Sequence, residues 1–224
     1  MQSAGSPSWR FAEGIEQLPL VALFVRDAVG LDVPPSPVNP PRLDGDLPAH
    51  PAQRDSELRA TAGAFWTGWW QALLALDVRQ HQGTPSGVDQ RAWFRQRADE
   101  HRAVFDPPEF TSLADRPALR EVVRTTFEEA LGWADARRRT LLLPPAGHHG
   151  QFDYDTSRAV AEEVARRHRV GPGAVRACAV VLPVEGNWWQ RFAPGAVLCS
   201  VTAARDPAMA RTVLADAFES GLAS

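Results

Sequence analysis

Seven prolines, at positions 34, 35, 37, 40, 41, 48 and 51, decide how this chain can be divided. Proline lacks an amide hydrogen and fixes φ, so such a stretch cannot be regular helix or central strand and favours extended polyproline conformation. It sets an N-terminal segment, 1–33, apart from the rest of the chain. Residues 34–53 are expected to form either an exposed linker or an arm lying over the body, and the pattern leaves both open. Segment 54–139 reads as helical, and 140–224 as a small α/β region making one unit with it.

Before the prolines, Trp9, Phe11, Ile15 and the apolar run 18–25 read as a short helix or strand, with Pro19 interrupting any long helix. After them, 54–78 has the spacing of a long helix. Phe65, Trp69, Leu73 and Leu76 share one side, while Trp66, Trp70, Leu74 and Asp77 trace the next. An apolar arc this wide belongs at the centre of a bundle, with Trp66, Trp69 and Trp70 as core, and Gly63 and Gly68 are expected to admit a close neighbour. Further helices are predicted over 88–105 and over 116–139, the latter capped by Asp115.

The last third changes period. Strands are predicted at 140–143, 174–184 and 196–203, and helices at 156–169 (capped by Asp155) and from Asp206-Pro207 onward. The order is β-α-β-β-α: a parallel first pair joined by a right-handed crossover, then an antiparallel return strand. The fold class expected is therefore α+β, a helical N-terminal and middle region packed on a small three-stranded mixed β-sheet. In that hairpin Cys178 and Cys199 fall opposite or diagonal to each other, which permits a disulfide, although free buried thiols are the expectation.

Several functions are disfavoured by what is missing. All 24 basic residues are arginine, so no lysine can form a Schiff base and pyridoxal phosphate is not expected. No Gly-rich dinucleotide fingerprint, P-loop or kinase signature occurs, so no nucleotide is expected. A net charge of −3 offers nucleic acid no bulk attraction, and the arginine runs at 137–139 and 166–169 fall at helix ends, where cations offset the dipole. The early apolar run, about eight residues, is far short of the roughly 20 that span a bilayer. Two cysteines make no secreted disulfide framework, and a cytoplasmic location is expected.

Parallel strands bring their carboxyl ends to one edge, where ligands of α/β sheets bind. The predicted topology puts two loops there: 145–155, with His148, His149, Asp153 and Asp155, and 185–192, with Glu185, Asn187, Trp188, Trp189, Arg191 and Phe192. Three readings compete. His148, His149 and Asp153 could ligate a divalent metal, neutral imidazole and carboxylate being suitable donors, although the spacing matches no zinc pattern. A histidine could act as general acid or base beside Asp153 or Glu185. Or the loop is structural, with its acids capping and turning the backbone. Adjacent Trp188 and Trp189 cannot both bury against one sheet face, and with Arg191 and Phe192 they fit a surface that meets another protein. The function expected is that of a binding or accessory protein working through these two loops, with the metal-dependent or acid–base enzyme as the alternative.

Overall fold

Pro19 does not break the first helix, because it stands in the first turn of α1 (Gln17–Val29), where the missing amide hydrogen has no intrahelical partner to lose. The computed structural model describes residues 8–48, 50–81, 89–142 and 150–222, and divides the chain into two units. One comprises 16–139; the other combines the N-terminal 15 residues with 140–224.

The helical unit is built around α1, whose residues from Pro19 to Val29 are buried except Asp27. It packs against α2 (Ser56–His81). On α2 the tryptophans 66, 69 and 70 are at most 1% exposed, as core tryptophans should be. Trp66 stacks on Trp70 at 5.5 Å, and their indole N–H groups donate to the carbonyls of Ala22 and Val38. Phe65, expected inside, is 43% exposed. Gly63 admits a backbone rather than a helix: a Cβ there would lie 2.5 Å from the Asp32 carbonyl oxygen, whereas Gly68 faces open space. The remaining helices are α3 (Gln90–Val104) and α4 (Pro117–Leu141), and α4 buries Leu119, Val122, Val123, Thr126, Phe127, Ala130 and Ala134 at helical spacing, whereas Leu131, expected on the same face, is only half-buried. Its first residue follows Arg116, so Asp115 lies one position too early to cap it.

The proline-rich stretch is an arm docked on this unit. Arg26, 7% exposed, donates to the carbonyls of Pro40 (2.7 Å) and Pro41 (2.6 Å), and Asp27 accepts from the Leu43 amide. Asn39 is bonded to Thr67 of α2.

The other unit is a four-stranded mixed sheet with helices. Its strands are β1 (Arg10–Gly14), β2 (Arg176–Leu182), β3 (Trp189–Ala193) and β4 (Ala196–Ser200), in the order β1-β2-β4-β3. β1, β2 and β4 are parallel, and β3 is an antiparallel edge. The chain also forms α5 (Tyr154–His168), the short α6 (Val201–Arg205) and α7 (Pro207–Leu222), with α7 lying over β2 and β4.

The α+β class holds, with three differences. The run 140–143 is no strand: Thr140 and Leu141 end α4, Leu142 is in a turn, and residue 143 lies outside the described residues. Short apolar runs fit helix or strand equally, and the helical stripe of α4 simply continues. The place of the missing strand is taken by β1, from the other end of the chain. Finally, β2 and β4 are parallel, because β3 is inserted in sequence and takes the hairpin position. The register sets Cys178 against Ala196 and Cys199 against Val181, so the cysteines are not cross-strand partners and remain free and buried.

Candidate functional site

Three parallel strands end at one edge, at Gly14, Leu182 and Ser200, and this edge carries the candidate site. At its β1 side stands Glu13. Its carboxylate accepts from the amides of Gln151 (2.9 Å) and Phe152 (3.0 Å), fastening the 150–152 loop to the strand. Gly150 packs directly against that carboxylate: a Cβ there would sit 1.5 Å from Glu13 Oε1, so the carboxylate would have to move. Burial raises the Glu13 pKa above its usual 4.5, the two amide bonds pulling against that rise without cancelling it.

Gln151, 6% exposed, carries the arrangement across the edge. Its side-chain amide donates to the Leu141 carbonyl at 2.7 Å, which points Oε1 the other way. That oxygen accepts from Arg205 Nε (3.1 Å) and Nη2 (2.8 Å) at the end of α6. α6 begins at once after β4 because buried Ser200 caps it, accepting from the Ala203 amide at 3.0 Å. The same hydroxyl accepts from the Trp188 amide, and the Ser200 amide donates to the Trp188 carbonyl, closing the 185–188 turn over the end of β4.

Between the start of α5 and α6–α7 lies a cavity of about 370 Å³. Gln151, Asp153, Thr156 and Arg205 give it polar walls, and Ala204, Pro207 and Ala210 give it an apolar floor. Asp153, not Asp155, is the α5 cap, with Oδ2 accepting from Thr156 N and Oγ1, each at 2.8 Å.

Of the residues singled out from sequence, His148 and His149 lie outside the described residues. Asp153 lines the cavity. Glu185 and Asn187 are exposed on the turn after β2, and Glu185 is not part of the cavity wall. Trp188, Trp189 and Phe192 are half-buried; the last two belong to β3 rather than to a turn, and Arg191 pairs with Asp216 of α7 at 2.8 Å. Among the described residues no three His, Cys, Asp or Glu side chains gather closely enough to hold a metal. The cysteines are poor nucleophiles. Burial pushes Cys178 up to about 11 and Cys199 further, with the charge of Glu13 adding to the latter.

Sequence reading missed Glu13, Gln151, Ser200 and Arg205. Only Ser200 had a local signal, a serine closing an apolar strand before a helical stretch.

Comparison with protein-family models, curated proteins and solved structures yields no match. No helix among the described residues is long and apolar enough to cross a membrane.

The Glu13–Gly150 contact gives a test of how the loop is held. Gly150→Ala is expected to cost about 1–3 kcal/mol, because the methyl displaces a carboxylate that holds two amides. In a Glu13→Ala background it should be neutral or stabilising by about 0.5 kcal/mol, since Gly150 does not have a positive φ and alanine restricts the unfolded chain. A double-mutant cycle in urea measures the coupling. Additive effects would show that the carboxylate does not hold the loop.

Proposed function

We propose that this chain is a ligand-binding or accessory protein whose working surface is the carboxyl edge of its parallel strands. The observation that carries the reading is the cavity beside Gln151, Asp153, Thr156 and Arg205. It sits where open α/β sheets bind ligands, and its polar groups are fixed from behind by Glu13 and by the Leu141 carbonyl. The polar walls over an apolar floor suit a small organic molecule. The 185–188 turn leaves the same edge on its far side, where half-buried Trp188 supports a wider surface for a second macromolecule. An acid–base role is less well supported, because Asp153 is engaged in capping α5.

The test is a thermal-shift panel of amino acids, organic acids, sugar phosphates and nucleosides, run on the native protein and on Thr156→Phe. Thr156 is half-buried on the cavity wall, so phenylalanine there fills the space. At least one class should raise the melting temperature of the native protein and lose its effect in the variant. No response, or equal responses from both proteins, would overturn the reading.

A further inference from the structure

The guanidinium of Arg205 is oriented but not neutralised. Its Nε and Nη2 donate to one neutral oxygen, Oε1 of Gln151, and among the described residues no carboxylate lies within ion-pair distance of it. Among the other exposed arginines of this unit, Arg158, Arg167, Arg191 and Arg211 are each paired with an acid, while Arg10, Arg166, Arg169 and Arg176 have no ion pair among the described residues and none donates to a buried side chain. Arg205 instead has its Nε edge occupied by a buried amide, which leaves the Nη1–Nη2 end of the fork as its donor face. That end presents two parallel N–H groups, the geometry that takes both oxygens of a carboxylate. Holding the side chain in advance removes part of the ordering cost that a ligand would otherwise meet.

We propose that Arg205 binds the carboxylate of a small monoanionic organic acid, whose apolar body lies over Ala204, Pro207 and Ala210. This rests on the reading of the cavity as a ligand site and names the ligand class. The volume, about 370 Å³, is near the lower end for small-molecule pockets and suits a molecule of a few carbons. A single charge is specified because the Asp153 carboxylate shares the cavity wall and repels further negative charge. Gln151 is the positioning residue: its own bond to Leu141 selects which of its two amide atoms meets the arginine.

The experiment is calorimetric titration of the native protein with butyrate, succinate, citrate and inorganic phosphate at constant ionic strength. Variants Arg205→Gln and, as a control at a paired arginine, Arg167→Gln are titrated alongside. Butyrate should bind saturably and more tightly than succinate or citrate. Its affinity should fall about tenfold or more in Arg205→Gln and stay unchanged in Arg167→Gln. Arg205 is exposed, so its variant is expected to fold, and circular dichroism checks that. Equal butyrate binding by Arg205→Gln overturns the assignment, as does a preference for citrate or phosphate. If carboxylates fail while a neutral compound still shows binding sensitive to Thr156→Phe, the ligand class is wrong and the ligand-site reading stands. If nothing binds, both fall.

Discussion

Replacing Arg26 with methionine is expected to cost about 3–5 kcal/mol of stability and to open the 42–43 peptide bond to trypsin. The size reflects what the side chain does while 7% exposed. Its guanidinium grips Asp27 through two bonds of 2.7 and 2.8 Å and holds two carbonyls of the proline-rich arm. It also lies 5.2 Å from the Trp66 ring, adding a cation–π contact. Methionine matches the length of the stem but supplies no donor. The Asp27 side chain, 8% exposed, then keeps only the Leu43 amide among these bonds. The double variant Arg26→Met/Asp27→Asn should therefore recover part of the loss, because removing both charges costs less than stranding one. Urea unfolding measures the stability, and trypsin cleavage after Arg42 reports release of the arm. A loss below about 1 kcal/mol with an uncut arm would mean that Val38 and Asn39, through Trp70 and Thr67, hold it unaided.

Helices are legible in the sequence where the apolar spacing is long, and strands only where both faces are buried. The tryptophans of α2 and the stripe of α4 announce themselves because several turns repeat the same pattern. β2 and β4 show as apolar runs because neighbours flank them on both sides. β1 and β3 are edge strands with mixed, half-buried sequences, RFAEG and WQRFA, which carry no clean alternation. β1 also joins the sheet from more than 160 residues away, through the pairing of Arg10 with Arg176, and no local pattern encodes such a contact. Without these two strands, the parallel β2–β4 pair reads as a hairpin.

The same cause limits what can be read of the edge. Placing the 185–188 turn there needs only that β2 be recognised as a strand, which its apolar run allows. The sequence reason for placing the 150–155 loop there is a strand at 140–143 that the chain does not form, and the loop is held at the edge by its amide bonds to Glu13. Finding the groups that organise the edge needs tertiary neighbours. Glu13 matters because β1 lies beside β2, and Gln151 because α4 ends where its amide can reach Leu141. Arg205 matters because α6 turns back at Ser200. Histidines and tryptophans stand out in a sequence by their chemistry, while a glutamine and an arginine at ordinary spacing do not.

Asp77→Asn is expected to stabilise the helical unit by an amount that grows with pH. The Asp77 carboxyl is 2% exposed, and burial, with the charge of Glu16 second, raises its pKa from 3.8 to about 8. Below the lower value it is protonated in folded and unfolded chains alike, and pH has no purchase on it. Between the two values the unfolded chain gives up the proton while the folded chain keeps it. Each pH unit in that window therefore takes about 1.4 kcal/mol from the folded state. Above the upper value both forms are ionised and the accumulated penalty, roughly 5–6 kcal/mol, stays constant. Asparagine has no proton to lose, so the variant lacks this slope; its amide still has to be accommodated, and a net gain of about 2 kcal/mol or more is expected near pH 8. Glu13 also carries a raised pKa, so the wild-type profile alone would mix the two groups. The difference between wild type and Asp77→Asn isolates Asp77, and Glu16→Gln, by removing the second cause, should lower the folded-state pKa, so that the loss of stability stops at a lower pH. Urea unfolding between about pH 5 and about pH 8 measures all three proteins. Parallel profiles for wild type and Asp77→Asn would mean that Asp77 is already ionised within the fold at the acid end, its charge matched by the groups around it.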